Sequence, residues 1–292
     1  MPETVPCNLC GSSEATPRPD LTEFLELPAP LEIRQCRACG LHYMSPRPTP
    51  DELVELYAKE PYFSEANADR GASRLDFYGA RMGRLERHSP GRGTLLGIGC
   101  LEGGYALEIA QSRRWNVTGV ESSEILAGYA RKHLKIDVRT VHGWDLSGFE
   151  AGHFDAAYTH SFEHFSDPRR MLREIRRVLK PNGKLMVEAP YQFYSLKDLV
   201  RRKLMRLLGD KKRLLFRKAP PFVFHLYYFE PDNLRALLKQ EGFEVVEFHT
   251  YVPFHPVYAR NPRGHLVQEG LYALGGLFGR GPSMEVTTRA VA

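Results

Sequence analysis

The sequence predicts an α/β fold, a parallel sheet flanked by helices, behind a small cysteine-bearing module. Three stretches carry that prediction. In Thr94-Leu95-Leu96-Gly97-Ile98-Gly99-Cys100-Leu101-Glu102-Gly103-Gly104 an apolar run ends in closely spaced glycines, and Tyr105 to Gln111 then carries a helical pattern. That is a buried strand, a tight turn and a helix N-terminus, where glycine lets a ligand approach the backbone. Trp115 to Val120 reads as a second strand ending in the acid Glu121, followed by Ser122. An acid at that strand tip, about 20 residues beyond the glycine turn, is placed to bind the hydroxyls of a ribose. The third stretch is the pair Cys7-Asn-Leu-Cys10-Gly11 and Cys36-Arg-Ala-Cys39-Gly40.

Each of those knuckles turns two thiolates toward one point, and its glycine can take the left-handed conformation that closes the turn. Together, Cys7, Cys10, Cys36 and Cys39 make a four-thiolate site suited to structural zinc, favoured here over free buried cysteines or disulfides. The 25 residues between the knuckles exceed the usual ribbon spacing, and a loop such as Pro17 to Asp20 absorbs the excess. A closed site of four thiolates leaves no position for substrate, so the zinc is expected to be structural.

Length and composition set bounds. The chain has 292 residues, 42% apolar and 26% charged, enough for one large domain and a small module. No apolar run approaches the ~20 residues of a membrane span, and Met1-Pro-Glu-Thr lacks the features of a signal peptide, so a cytoplasmic protein is expected. The net charge of +5 is uneven. Residues 197–218 hold ten Lys and Arg against two Asp, a local charge of +8 that leaves −3 for the remainder. The chain carries one basic patch and is not generally basic, which argues against nucleic acid as a partner.

The remaining elements follow in order. Met44 to Pro50 is a proline-rich joint, and a helix runs from Thr49 through Tyr57. A second helix, Ala72 to His88, precedes the glycine strand. Ser123 to His133 is helical, Asp137 to Val141 is the third strand and Phe154 to Thr159 the fourth. His160-Ser-Phe-Glu163-His164 then sits at the carboxyl end of the fourth strand, the edge where open α/β sheets bind ligands. Three roles are open to it. A histidine there could be a general base; His160, Glu163 and His164 could ligate a divalent metal; or Glu163-His164 could cap the next helix, Pro168 to Lys180. The base is favoured. Pro181 to Lys184 is expected to turn and Leu185 to Ala189 to form the fifth strand. An excursion over residues 190–230 follows, with an amphipathic helix at Ser195 to Leu208 and the aromatic run Phe222-Val-Phe-His225-Leu-Tyr-Tyr-Phe229. Helix Pro231 to Gln240 and strands Phe243 to Thr250 and Met284 to Ala290 close the chain.

The runs LLGIGCLEGG…VTGVESS, FDAAYTHSFEHFSDP and RRVLKPNGKLMVEAP match in order and spacing over about residues 91–250. In them the chain resembles class I S-adenosylmethionine-dependent methyltransferases. The knuckles, proline-rich joint and Tyr62-Phe63 further resemble bacterial methyltransferases of sugar and natural-product biosynthesis, and the Glu-His pair resembles ubiquinone-pathway O-methyltransferases. The resemblance implies a Rossmann-like seven-stranded sheet with its last strand antiparallel, inserted between the fifth and sixth. It implies a zinc ribbon at 1–48, a helical linker at 49–90, and a methyltransferase domain at 91–292 whose insertion forms a helical lid over the substrate. The expected cofactor contacts are Gly97, Gly99, Gly103, Glu121, Ser122, Asp145, Leu146 and His160. Asp145 and Leu146 would hold the adenine. Where the family commonly has an acid before the glycine pair and a glycine after it, this chain has Gly97 and Leu101.

The function expected is methyl transfer from S-adenosylmethionine to a small-molecule acceptor, a sugar or natural-product hydroxyl. His164 or His225 would act as base, with Glu163 orienting the imidazole. RNA modification and a non-catalytic scaffold of the same fold are the alternatives. The basic patch suggests an acceptor with an anionic handle, a nucleotide diphosphate or carrier-protein arm, or contact with a membrane surface.

Overall fold

The computed structural model describes residues 2–59, 72–99, 103–141, 144–208, 225–251, 270–271 and 274–291. Tyr62, Phe63, Cys100, Leu101, Gly143, Phe222 and the cations Lys211, Lys212, Arg213, Arg217 and Lys218 lie outside them. In chain order the strands are β1 (Ala15–Pro17), β2 (Ile33–Cys36), β3 (His42–Met44), β4 (Thr94–Ile98), β5 (Asn116–Glu121), β6 (Asp137–Thr140), β7 (Phe154–Thr159), β8 (Leu179–Pro190), β9 (Tyr227–Tyr228), β10 (Phe243–Tyr251) and β11 (Ser283–Ala290). The helices are α1 (Pro19–Phe24), α2 (Pro50–Lys59), α3 (Ala72–His88), α4 (Gly103–Ser112), α5 (Glu124–Tyr129), α6 (Pro168–Val178), α7 (Leu196–Leu208) and α8 (Pro231–Gln240). Two compact units emerge, one of residues 1–48, 189–233 and 249–284, the other of residues 49–188, 234–248 and 285–292.

The larger unit is built on a seven-stranded sheet in the order β10-β11-β8-β7-β4-β5-β6. It is mixed, and the last strand runs antiparallel between β8 and β10, as expected. β4 pairs in parallel with β5 and β7, and Leu95, Leu96 and Ile98 are wholly buried, as befits a central strand covered on both faces. Tyr78, Met82 and Leu85 of α3 share one core with Tyr105, Leu107 and Ala110 of α4. The spacing of four and three residues along α3 places its set on one helix face. α6 starts sharply because Asp167 accepts a hydrogen bond from the Arg170 amide at 3.0 Å and Pro168 occupies the first turn.

Two boundaries differ from expectation. α6 stops at Val178, two residues before Lys180, and β8 runs without a break from Leu179 to Pro190. Pro181 to Lys184 therefore does not form a separating turn. The β7–β8 register shifts between Phe154 and Ala156, and Asn182 adopts φ +62°. A bulge takes up the residues that the sequence pattern assigns to a turn, and asparagine tolerates the left-handed conformation it needs.

The smaller unit carries a four-stranded antiparallel sheet, β1-β2-β3-β9. β9 comes from the excursion, far along the chain. Tyr228 pairs with His42 and Tyr227 with Tyr43, and the Arg47 guanidinium donates to the Tyr227 hydroxyl at 2.9 Å. Among the described residues no helix is long and apolar enough to cross a membrane.

A buried ion pair sits in the larger unit. Arg81 and Glu188 expose 2% and 1% of their side chains, and Arg81 Nε donates to Glu188 Oε1 at 2.7 Å. The Tyr158 hydroxyl donates to the same oxygen at 2.9 Å, and the guanidinium lies 3.5 Å from the Phe77 ring centroid. Arg84 binds Glu285, whose carboxyl burial raises above its ordinary range and the Arg84 charge draws back. Removing one member of such a pair strands the other charge in a dry interior. Glu188→Leu is expected to cost about 3–5 kcal/mol, measured by urea unfolding against wild type.

Candidate functional site

The parallel register builds the site. Ile98 of β4 lies opposite Val120 of β5 and Thr159 of β7, so the next residues, Gly99, Glu121 and His160, come out at one edge of the sheet. This is the carboxyl edge, where ligands of open α/β sheets bind. Gly99 has φ +81°, and its amide donates to Val120 O at 3.0 Å. A Cβ there would come within 2.5 Å of Ser161 Oγ and 3.7 Å of Trp144, so glycine is required on both conformational and steric grounds. Gly103 opens α4, and the first amides of a helix have no partner inside it, which suits an anionic or polar ligand.

Glu121 is 3% exposed. Its Oε1 accepts from the amides of Ser122 at 2.8 Å and Ser123 at 3.1 Å, and from the Ser122 hydroxyl at 3.3 Å. Those donors fix the carboxylate at the strand tip. Ser122 thus acts on the acid. Among the described residues the Ser123 hydroxyl is buried without a hydrogen-bond partner, although its residue occupies the N-cap of α5.

Other expected residues find different places. Gly97 is a packing glycine: a Cβ there would meet the Leu107 side chain of α4 at 2.2 Å. Asp145 is exposed, and its carboxylate accepts from the Ser147 amide at 2.9 Å and hydroxyl at 2.8 Å. The amide and hydroxyl of Ser147 hold its carboxyl below the usual carboxylate range. Leu146 is wholly buried, and Trp144, beside it, takes φ +66° with its ring 5.3 Å from that of Phe165.

Glu163 and His164 lie in a short 3-10 turn, Phe162–His164, with His164 Nε2 3.5 Å from Glu163 Oε1. They do not cap α6, because Asp167 does; that structural reading is corrected. His160 turns to Glu188, its Nε2 3.4 Å from Oε2. The trio His160, Glu163 and His164 does not converge as a group of metal donors, since His160 is engaged by the buried carboxylate instead.

In the smaller unit the two knuckles are built alike. The Gly11 amide donates to Cys7 O at 2.7 Å and the Gly40 amide to Cys36 O at 3.0 Å, with φ +76° and +75° at the two glycines. The four sulfurs lie within 4.8 Å of one another, Cys7–Cys39 and Cys10–Cys36 at 3.4 Å. This donor set fits a tetrahedral metal ion of about 2.3 Å metal–sulfur bonds.

The arginines expected to receive an anionic handle are engaged inside this unit. Arg202 donates to Asp20 Oδ2 at 3.0 Å and Arg206 at 3.4 Å, while Arg18 meets the same carboxylate through two bonds of 3.0 Å. The Arg201 guanidinium lies 4.7 Å from the Phe24 ring centroid. Burial works to raise the Asp20 carboxyl, but Arg18 and Arg202 override it and hold the group low. These contacts tie α7 to α1. His225, also in this unit, has Nδ1 2.8 Å from Gln192 Oε1.

The methyltransferase-domain family matches residues 69–248, more than half of the chain. The chain belongs to the class I S-adenosylmethionine-dependent methyltransferases. A demethylmenaquinone methyltransferase of Thermotoga maritima is 32% identical over 44% of this chain and 60% of its own length. A ubiquinone biosynthesis O-methyltransferase of Aromatoleum aromaticum is 27% identical over 56% of this chain and 70% of its own. The chain thus spans less than two thirds of the first of these curated relatives. A solved structure from Pyrococcus horikoshii OT3 shares the fold, with a TM-score of 0.51, 19% identity and coverage of 82% of this chain and 99% of that one. The family match covers the sheet edge described above and leaves the four cysteines outside it.

Sequence reasoning missed Ser161 and Trp144. Ser161 stands beside the expected His160, and the close approach that Gly99 makes to it has no local signature. Because Gly99 combines φ +81° with that contact, Gly99→Ala is expected to destabilise the protein by about 1–3 kcal/mol. Thermal unfolding should show a lowered midpoint, by at least 2 °C on ordinary scaling for a chain of this size.

Proposed function

We propose that the protein transfers a methyl group from S-adenosylmethionine to a hydroxyl oxygen of a small-molecule acceptor. One observation carries this reading: the register that brings the Gly99 turn and the buried, donor-held Glu121 to the same carboxyl edge. The cradle fits the cofactor. Gly99 leaves the backbone open, the N-terminus of α4 adjoins it with the positive end of its dipole, and Glu121 would accept hydrogen bonds from vicinal hydroxyls. Bound there, S-adenosylmethionine supplies a methyl group on a cationic sulfur, open to direct attack by oxygen. The chain has then to orient the acceptor in line and remove one proton. His164, with Glu163 beside it, and His225 are the two groups suited to take that proton near neutral pH. Relatives named as O-methyltransferases support oxygen as the nucleophile, and a sugar or natural-product scaffold is the acceptor class this reading favours.

Calorimetry with S-adenosylhomocysteine tests the cofactor assignment. Charge-assisted hydrogen bonds contribute about 1.5–3 kcal/mol each, so Glu121→Ala is expected to weaken binding at least ~10-fold. An unchanged affinity would refute the placement of the ribose at Glu121.

Cys7, Cys10, Cys36 and Cys39 are proposed to hold one structural zinc, with no open position for substrate. Zinc is expected to co-purify at one ion per chain by elemental analysis of protein prepared without chelator. Cys7→Ser should lose the metal and lower thermal stability while S-adenosylhomocysteine still binds. Metal-free protein with intact stability would end this assignment.

A further inference from the structure

Trp144 crosses the carboxyl edge of the larger unit. The Val141 amide, just past β6, donates to Glu121 O at 2.9 Å, so the chain leaves β6 beside the tip of β5. Three residues later the indole lies against β4 and the segment that follows β7. It is 3.7 Å from where a Gly99 Cβ would stand, and its ring is 5.3 Å from that of Phe165. With the strand order β7-β4-β5-β6, the residue therefore spans the tip of β5, where Glu121 stands. All of these groups belong to one unit.

The loop holds the indole in that place. Leu146 and Phe149 are buried, and Arg177 of α6 donates to the carbonyl of Leu146 at 2.9 Å and to that of Phe149 at 2.8 Å. Trp144 itself takes φ +66°, a left-handed conformation that glycine or asparagine adopts at less cost than a bulky side chain. Phe165 beside the ring is 1% exposed, whereas Trp144 is half-buried. The two neighbours expected at the adenine are engaged otherwise: Asp145 is turned to Ser147, and Leu146 is wholly buried.

We propose that Trp144 is the purine-recognising residue of the cofactor site, its indole face stacking on the adenine of S-adenosylmethionine. The inference rests on the reading that places the ribose at Glu121. Neighbouring strands lie about 4.8 Å apart, so a purine joined to a ribose held there falls within reach of a ring that crosses the same strand tip. Indole and purine are both flat and apolar on their faces, and stacking removes two such faces from water. The contact forms no covalent bond and moves no proton; it adds affinity and fixes the plane of the nucleoside. The left-handed backbone of Trp144 and the bare face of Gly99 are then one arrangement, in which glycine leaves the room that the indole takes.

The chain has two tryptophans, Trp144 and the buried Trp115. Full-length protein labelled with 5-fluorotryptophan therefore gives two ¹⁹F resonances, assigned by the loss of one in Trp144→Phe. Saturating S-adenosylhomocysteine is expected to move the Trp144 resonance and leave that of Trp115 in place. Adenosine should move it in the same direction, and homocysteine should not move it. By calorimetry, Trp144→Ala should weaken S-adenosylhomocysteine binding at least ~5-fold, and Trp144→Phe, which keeps an aromatic face, should weaken it less. A Trp144 resonance unmoved by bound S-adenosylhomocysteine, a shift with homocysteine alone, or undiminished affinity in Trp144→Ala would overturn the proposal. The resonance is read on the wild-type fold and stands even where a variant fails to fold. Failure of the methyl-transfer reading looks different: the wild-type protein would not bind S-adenosylhomocysteine at all.

Discussion

The parallel pairing of β4 with its two neighbours is the constraint on which the larger unit depends. Once Ile98 is set opposite both Val120 and Thr159, the residues that follow have one place to go. Gly99 turns the chain, Glu121 presents an acid and His160 meets the buried Glu188 at the same edge. A one-residue slip of β4 would put a larger side chain where Leu107 leaves room only for Gly97, so packing against α4 enforces the register that builds the site. Core packing and ligand geometry are therefore one problem here. Gly97 illustrates it, because Leu107 fills the space of its missing side chain and brings α4 close to the strand that α4 caps.

The smaller unit solves a different problem. Its short strands and six-residue helix are held by polar contacts as well as by an apolar core that includes Leu21, Phe24, Ile33 and Phe193. Two matching cysteine knuckles bring four sulfurs together, and the Asp20 carboxylate is gripped by Arg18, Arg202 and Arg206. The excursion closes on this framework through β9, which delivers His225 at the end of a short, well-anchored segment.

Much of the fold was legible because its signals are local. The apolar run before the glycines, the acid at the end of β5 and the helical spacing of Met171, Leu172, Ile175 and Val178 each follow from a short window of residues. Pro181-Asn-Gly looked like a turn for the same local reason. The β7 pairing overrides that preference, and a bulge at Asn182 reconciles the two. What stayed hidden depends on residues far apart in the chain. The β3–β9 pairing joins His42 to Tyr228, the Arg81–Glu188 pair joins α3 to β8, and no periodicity announces either. Charge along a sequence says nothing of the partner across a fold: within the basic patch, Asp20 answers Arg202 and Arg206 from 182 and 186 residues away.

The central claim is that the carboxyl edge of β4 and β5 receives the ribose of S-adenosylmethionine, with Glu121 accepting from its hydroxyls. Equilibrium binding of S-adenosylhomocysteine and of its 2′-deoxy analogue to the wild-type protein tests this most directly. Loss of one hydroxyl that hydrogen-bonds a buried carboxylate should weaken binding about 10-fold or more. Equal affinity for the two compounds would contradict the account.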